Sequence, residues 1–227
     1  MQAKCVTNYL SHDDEYQRRR ATGSTGWYAA EAIVQYLKLL TKVFQAPYFP
    51  QNGKLLEVGC GAGDWSLWAA ERGYEVSGVD TAPHAIEWAL DKCRERGLRA
   101  QFRVGDALEL AEYDSNAFDI VLDGHCFHCI VGEDRRRFLR AVRRVLKPGG
   151  IFHINTMCGT PTCDEYLQEF DATSRCIIRR GVANRYLGLP ESIEQEVVEA
   201  GFTAINRSIL SRRNDRELDL LLLDATK

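Results

Sequence analysis

The sequence predicts an α/β fold with a doubly wound, mostly parallel sheet. Short apolar runs alternate with segments of helical periodicity, which is typical of parallel strands joined by helices. A glycine turn directly follows the first apolar run, as in nucleoside-binding folds. The last two apolar runs are joined by a short charged turn, 212–216, so we expect that strand pair to be antiparallel.

The N-terminal elements are predicted from apolar spacing and from helix-ending residues. A short polar helix is expected over 13–20. A longer helix is expected over 27–45, where apolar residues recur at helical spacing, and Pro47 ends it. Both helices precede the first apolar run, so they lie outside the alternating pattern.

Strands and helices then alternate along the chain. We expect helices over 64–72 and 85–96, ended by Gly73 and Gly97, and a further helix over 134–146. Apolar runs bounded by turn residues predict the strands between them. The predicted strands lie at 54–58, 75–79, 100–104, 118–122 and 151–155.

The C-terminal third departs from this alternation. A turn is predicted at 148–150, which reads Pro-Gly-Gly. The segment 158–189 is expected to be irregular. A helix over 191–200 and two strands, at 204–210 and 218–225, are expected to close the sheet.

Composition limits the classes of protein that the sequence fits. The 227 residues suffice to bury a core without disulfides, and the net charge of −3 argues against a general nucleic-acid surface. Eight cysteines are scattered through an α/β pattern, so we interpret them as reduced thiols. No segment resembles a secretory signal or reaches membrane-spanning length. We therefore expect a cytoplasmic protein without nucleic-acid or membrane partners, and the oligomeric state stays open.

The glycine turn is the most specific motif. Residues 55–63 read Leu-Leu-Glu-Val-Gly-Cys-Gly-Ala-Gly, and Asp80 stands nineteen residues after Gly61, at the end of the next apolar run. Such a turn admits a ligand close to the backbone, and a carboxylate at that strand end can accept hydrogen bonds from ribose hydroxyls. A dinucleotide fingerprint needs a small residue five positions after Gly59, where Asp64 stands. The pattern therefore disfavours a nicotinamide dinucleotide.

Four segments resemble landmarks of the class I S-adenosylmethionine-dependent methyltransferases, in the order and at distances similar to that family. They are the glycine turn at 57–63, Val-Gly-Asp-Ala at 104–107, Phe-Asp-Ile-Val-Leu-Asp at 118–123 and Leu-Lys-Pro-Gly-Gly at 146–150. The resemblance implies a seven-stranded sheet with an antiparallel last strand. It also implies S-adenosylmethionine as cofactor, lying across the carboxyl ends of strands one to four.

The resemblance also implies roles for individual residues. Asp80 would hold the ribose hydroxyls, Thr81 would lie beside the adenine, and Asp106 would accept from the adenine amino group. All three also suit helix N-caps, an alternative that the sequence leaves open. The implied cofactor-binding residues are Trp27, Glu57, Gly59, Cys60, Gly61, Asp80, Thr81, Asp106, Ala107, Asp123 and Gly124.

A second resemblance concerns the N-terminus. Tyr16-Gln-Arg18 and the segment 23–27, which ends in Trp27, are similar to the lid of small-molecule methyltransferases, including thiol- and tellurite-handling ones. Alternatively, Trp27 begins the apolar face of the following helix. We interpret the chain as a single domain comprising a helical lid at 1–50, a cofactor-binding core at 51–157, a substrate cap at 158–189 and a C-terminal helix and strand pair at 190–227.

Histidines and thiols follow strands four and five, where the acceptor of a methyl group would lie. They are His125, Cys126, His128, Cys129, Cys158 and Cys163. Three interpretations stay open. His125 or His128 is a general base; the cluster binds a metal or metalloid; or these are ordinary pocket and core residues. We assign His125 and His128 as candidate catalytic residues and no metal ligand, and we expect His12 and His84 at the surface.

Arginines mark the predicted cap. An arginine fork matches a carboxylate or phosphate, so Arg185 is a candidate for gripping an anionic substrate, together with Tyr186 and with Tyr16 of the lid. A solvated basic face is the alternative. The arginines of the helix 134–146 are expected to form its exposed side.

The sequence as a whole predicts methyl transfer from S-adenosylmethionine to a small molecule. The acceptor atom is O, N or S, and the thiol-rich cluster favours a soft acceptor such as a thiol or metalloid. Two alternatives are a nicotinamide-dependent oxidoreductase and a non-catalytic, cofactor-binding regulator. Methylation of RNA or protein is disfavoured by the acidic balance.

Overall fold

The computed structural model describes residues 7–8, 10–212, 214 and 217–227, and a seven-stranded sheet forms its centre. A second sheet of three short strands lies in the C-terminal third. In chain order the strands are β1 (Lys54–Val58), β2 (Glu75–Asp80), β3 (Ala100–Val104), β4 (Phe118–Asp123), β5 (Leu146–Cys158), β6 (Phe170–Asp171), β7 (Cys176–Arg179), β8 (Val182–Tyr186), β9 (Thr203–Leu210) and β10 (Asp219–Thr226).

The order of the central sheet is β3-β2-β1-β4-β5-β10-β9. β1 pairs in parallel with β2 and β4, whereas β10 runs antiparallel to both β5 and β9. The predicted doubly wound sheet with an antiparallel last strand is therefore confirmed. The charged turn predicted at 212–216 falls partly outside the described residues.

Helices cover both faces of the sheet. They are α1 (Leu10–Ala21), α2 (Ala30–Phe44), α3 (Asp64–Ala70), α4 (Pro83–Glu95), α5 (Asp134–Val145), α6 (Asp164–Glu169) and α7 (Pro190–Glu199). Leu55 of β1 and Ile120 of β4 face a cluster formed with α2 and α3, and Leu56 and Val121 face one formed with α5 and α7. Because both faces are covered, β1 and β4 read as continuous apolar runs rather than alternating ones.

The N-terminal helix α1 is attached to α4. Asp13 accepts a hydrogen bond from the His84 backbone N–H at 2.8 Å, and its other oxygen lies 2.7 Å from His84 Nδ1. Arg20 pairs with Asp91 farther along the same two helices. Among the described helices, none has the length and apolarity needed to cross a membrane.

The expectation of an irregular segment at 158–189 is wrong. It contains α6 and the antiparallel sheet β6-β7-β8, and its hairpin turn is Arg180-Gly181. Both turn residues have positive φ, 52° and 77°, as the twist of a two-residue hairpin requires. An arginine is an uncommon residue at the first of these positions, so the hairpin has no clear sequence signal.

The predicted turn at 148–150 is also wrong as a break before the fifth strand. β5 begins at Leu146, which pairs with Phe118, and continues through the glycines. The register shifts between Phe118 and Ile120, and Gly149 has a φ of 76°. The Pro-Gly-Gly sequence therefore produces a bulge inside the strand rather than its beginning.

Candidate functional site

A cavity of about 260 Å³ lies at the carboxyl ends of β1, β2 and β4, where ligands bind in open α/β sheets. The N-terminal segment and the β8 strand close its sides. Its lining residues are His12, Tyr16, Trp27, Tyr28, Glu57, Gly59, Cys60, Gly61, Ala62, Asp64, Trp65, Val79, Asp80, Thr81, Gly105, Ala107, Gly124, His125, Cys126, His128, Cys129, Met157 and Arg185.

The turn after β1 requires glycine at two positions. Gly59 and Gly61 have φ values of 69° and 50°, which disfavour any side chain. A Cβ added at Gly59 would lie 2.3 Å from the Cβ of Cys126, and one added at Gly61 would lie 2.2 Å from Tyr16 Oη. Glycine at these positions therefore lets Cys126 and Tyr16 approach the turn closely, and both glycines line the cavity.

Asp80 stands at the end of β2 and orders the glycine turn. One carboxylate oxygen accepts from the Gly61 N–H at 2.8 Å, and the other accepts from the Ala82 N–H at 2.9 Å. Burial raises the pKa of Asp80, and these hydrogen bonds oppose that rise. Each oxygen keeps a further lone pair toward the cavity, which Thr81 also lines.

Glu57 contributes a buried carboxyl group at the other side of the turn. It accepts a hydrogen bond from Ser66 Oγ at 2.5 Å, and burial raises its pKa to about 8. Asp64 and Asp80 lie near enough to contribute to that rise. Glu57 is therefore largely protonated at neutral pH, and a cation placed beside it would favour its ionised form.

The lid closes over this end of the cavity. Trp27 lies before α2 rather than within it, and its ring centroid is 5.0 Å from that of Tyr16 and 5.6 Å from that of His12. The Arg19 guanidinium lies 5.0 Å above the Trp27 ring. Contrary to the expected surface position, His12 lines the cavity.

Three residues assigned from the sequence do not line the cavity. Asp106 accepts from the Leu108 N–H at 2.8 Å, which matches the capping alternative. Asp123 is completely buried, and burial raises the pKa of its carboxyl group to about 6. One of its oxygens accepts hydrogen bonds from two backbone N–H groups, and the other has no partner among the described residues. The Tyr186 ring packs on the Arg135 guanidinium at 4.1 Å, and its hydroxyl donates a hydrogen bond to Glu196. Tyr186 therefore contacts α5 and α7 rather than the cavity.

His125 has an unusual backbone and a defined partner. Its φ of 63° is left-handed, and its Nδ1 lies 2.8 Å from Tyr28 Oη. The Tyr36 and Trp65 rings meet it edge-on at centroid distances of 4.9 and 5.3 Å. Its Nε2 is buried without a hydrogen-bond partner, and burial lowers its pKa to about 4, opposed by the neighbouring Asn155 side chain.

His128 and the thiols share the same end of the cavity. His128 is 3% exposed, its Nδ1 has no partner among the described residues, and burial lowers its pKa. Burial raises the pKa of the Cys129 thiol to about 11, so that thiol is protonated. The described residues contain no group of three or more His, Cys, Asp or Glu arranged to hold a metal ion. Cys158 and Cys163 do not line the cavity.

Residues 56–154 match a protein family described as "Methyltransferase domain". The matched segment contains the glycine turn, Asp80 and both histidines. This match supports the resemblance to the S-adenosylmethionine-dependent methyltransferases, and it supports S-adenosylmethionine as the cofactor.

Relatives share this methyltransferase domain over part of their length. The chain is 35% identical to 2-heptyl-1-hydroxyquinolin-4(1H)-one methyltransferase from Mycobacteroides abscessus over 43% of each protein. It is 29% identical to ubiquinone biosynthesis O-methyltransferase from Xanthomonas axonopodis over 66% of this chain and 63% of that protein. The chain thus spans less than two thirds of the curated relatives that it matches.

A solved structure has the same fold over nearly the whole chain. It is 1,6-didemethyltoxoflavin-N1-methyltransferase from Burkholderia thailandensis with bound 1,6-didemethyltoxoflavin and S-adenosylhomocysteine. The TM-score is 0.70 at 21% identity, over 96% of this chain and 86% of that one. The similarity of fold therefore extends well beyond residues 56–154, to nearly the whole chain.

Sequence reasoning missed several residues that line the methyltransferase cavity. Tyr28 and Trp65 belong to helical or loop segments whose apolar pattern gave no sign of a site. Met157 follows the predicted fifth strand, and the sequence assigned it no role. Asp64 was used to exclude a dinucleotide, and in the structure it pairs with Lys92 at 2.6 Å. The one sequence feature that could have indicated a cavity position for Tyr28 is that it directly follows Trp27 of the lid motif.

Proposed function

We propose that the chain transfers a methyl group from S-adenosylmethionine to a small molecule bound in this cavity. The observation that carries the proposal is the continuity of the cavity. The cavity is lined by the glycine turn and Asp80 and also by His125, His128 and Arg185, which we assign to its cofactor end and its acceptor end. The methyl donor and the acceptor would therefore both bind within one cavity.

The residues at the first end suit the cofactor. Gly59 and Gly61 line the cavity, and the absence of side chains there lets Cys126 and Tyr16 pack close to the turn. Free lone pairs of Asp80 suit ribose hydroxyls, and the buried Glu57 suits the methionine ammonium. When bound, S-adenosylmethionine supplies an electrophilic methyl group that a nucleophile displaces in line.

The chain's own residues position the acceptor and exclude water. Trp27 and Tyr16 cover the glycine turn, and Trp65 and Met157 line the wall beside it. These groups are largely apolar, so an acceptor would lose water as it enters. Proximity and orientation supply most of the acceleration that we assign to the protein.

We assign His125 to forming the wall against which the acceptor binds rather than to removing the proton of the acceptor. Asn155 Oδ1 is a buried acceptor without a partner, and its side chain contributes to the protonation of His125. A hydrogen on His125 Nε2, with Tyr28 donating to Nδ1, satisfies both groups. In that tautomer neither ring nitrogen keeps a lone pair for a proton of the acceptor, and a pKa of about 4 makes His125 a weak base.

The acceptor is proposed to be O, N or S of a small molecule. The names of the relatives describe methylation of oxygen and of a ring nitrogen, which supports a hydroxyl or ring-nitrogen acceptor. The thiols near His128 support the softer alternative only weakly, because the cavity holds no cluster suited to a metalloid among the described residues. The matched methyltransferase domain leaves the nicotinamide alternative without support.

The proposal is tested by a screen with methyl-labelled S-adenosylmethionine over phenols, carboxylates, amines, thiols and RNA. We expect label in a small-molecule class, and loss of that label in Asp80→Asn. Repeating the screen with chelator tests the metal alternative. Cofactor binding without transfer to any class would instead support the non-catalytic regulator.

A further inference from the structure

Arg185 is an unpaired cation at the acceptor end of the cavity. It is the only lysine or arginine among the described lining residues. Its Nε is buried without a hydrogen-bond partner, and its Nη1 bonds to Asn184 Oδ1 at 3.2 Å. Within the described chain no carboxylate pairs with it. A desolvated guanidinium edge without an acceptor is costly, so a ligand that supplies one is favoured.

Neighbouring groups place Arg185 beside the candidate acceptor site. It belongs to β8, which lies against the turn Phe127–Cys129. Its positive charge contributes to the lowered pKa of His128 and opposes the raised pKa of Cys129. The guanidinium charge therefore acts on the residues that surround the acceptor rather than on solvent alone.

Two other cap arginines, Arg175 and Arg179, are already engaged, and Arg180 lies in an exposed turn. Arg175 donates to the carbonyl oxygens of Leu187 and Gly159, both at 2.7 Å. Arg179 pairs with Glu169 at 2.7 Å. These side chains hold the cap together, whereas Arg185 has its Nε edge free.

The acids of the cavity do not balance Arg185. Asp64 is paired with Lys92, and both oxygens of Asp80 accept backbone N–H groups. Glu57, with a pKa of about 8, is largely neutral at pH 7. Among the described residues, no carboxyl group that lines the cavity forms an ion pair with Arg185.

We infer that the methyl acceptor is a flat organic acid whose carboxylate binds the free Nε edge of Arg185. The inference rests on the proposed function. A guanidinium edge matches a carboxylate in a two-point hydrogen-bonded pair, which fixes the orientation of the ring that carries it. The walls formed by Tyr28, Trp65 and Met157 suit such a ring. The carboxylate also balances Arg185 beside a sulfonium donor.

The inference is tested with benzoate, with the neutral benzamide, which has nearly the same shape, and with benzylamine, a cation of similar size. Each is titrated into the full chain saturated with S-adenosylhomocysteine, and tryptophan fluorescence reports binding, since Trp65 lines the cavity. We expect benzoate to bind at least tenfold more tightly than either of the other two. Arg185→Met should abolish that preference, and Arg185→Lys should retain part of it.

The control is Arg180→Met, in the exposed turn of the same hairpin. It should keep the full preference for benzoate. Equal binding of benzoate and benzamide by the unmodified chain would overturn the inference, as would a preference that survives Arg185→Met. Failure of S-adenosylhomocysteine itself to bind would overturn the proposed function, and this inference with it.

Discussion

Glu57 is the residue whose protonation should change most when the cofactor binds. Its pKa of about 8 reflects burial, with nearby Asp64 and Asp80 adding to the rise. The ammonium of S-adenosylhomocysteine favours the ionised carboxylate, so binding at pH 7 should release a proton from Glu57. The affinity should then rise with pH as Glu57 ionises, until the ligand ammonium begins to lose its own proton.

Calorimetry in buffers of different ionisation enthalpy measures this proton release. In Glu57→Gln the linked proton should disappear, because the amide does not titrate. An equal proton release by Glu57→Gln would show that another group, such as Asp80, is responsible.

Tyr28 is proposed as a positioning residue for His125. Tyr28→Phe removes the hydroxyl 2.8 Å from Nδ1. One neutral hydrogen bond contributes about 1 kcal/mol, so turnover should fall about fivefold. Nitrogen-15 NMR should show the hydrogen of His125 mainly on Nε2 in the wild type and redistributed in the variant. An unchanged tautomer in Tyr28→Phe would contradict the assignment.

His125 itself is best tested by His125→Asn. Asparagine tolerates a φ of 63°, whereas alanine would add backbone strain. We expect lower turnover, with the affinity for S-adenosylhomocysteine changed less than twofold. Above pH 5 the wild-type rate should show no ionisation due to His125, whose pKa is about 4. An ionisation near pH 6.5 that His125→Asn removes would restore the general-base interpretation.

At the scale of elements, α5 connects the cap to the turn that carries His128. Arg135 is 4% exposed, lies between the Phe127 and Tyr186 rings, and pairs with Glu196 at 2.8 Å. It also donates to the Phe127 and Ile130 carbonyl oxygens. The expectation that this arginine belongs to the exposed side of its helix is wrong.

Arg135→Met should therefore destabilise the protein far more than Arg136→Met. Removing Arg135 leaves Glu196 and two carbonyl groups without their donor, at a cost of about 3 kcal/mol in the free energy of unfolding. Arg136 forms an exposed pair with Glu133, which contributes less than about 0.5 kcal/mol. Urea unfolding of both variants measures the difference, and equal losses would contradict it.

Local pattern was sufficient for most elements but not for the cap. The strands around the glycine turn are apolar and bounded by turn residues, so their positions follow from composition alone. The hairpin at Arg180-Gly181 depends on two positive φ values, and an arginine at the first position does not predict such a value. Arg135 had a signal: it stands three and seven residues before Phe138 and Val142, on the apolar face of its helix.

The sequence predicted the parts of the candidate site that depend on backbone connectivity. It did not predict the parts that depend on the packing of distant segments. Gly59, Gly61 and Asp80 follow from the chain connectivity of a β-α-β unit. His12 and Tyr28 reach the cavity because the N-terminal segment folds over it, which a periodicity cannot reveal. The left-handed backbone of His125 likewise has no sequence signature.

At the scale of the whole molecule, cofactor binding should stabilise the fold. S-adenosylhomocysteine at a hundred times its Kd adds about 2.7 kcal/mol to the free energy of unfolding. For a chain of this size that corresponds to a rise in Tm of roughly 5–10 °C. NADH at the same concentration should give no rise, as measured by differential scanning calorimetry. A rise with NADH alone would favour the nicotinamide alternative.

The most direct test of the central claim is a calorimetric titration of S-adenosylhomocysteine into the intact chain and into Asp80→Asn. We predict one binding site in the unmodified chain and at least about tenfold weaker binding in Asp80→Asn, because hydrogen bonds to a charged group contribute about 1.5–3 kcal/mol. The exposed Asp114→Asn is the matched control and should bind normally. No heat from the unmodified chain, or equal affinity in Asp80→Asn, would contradict the account.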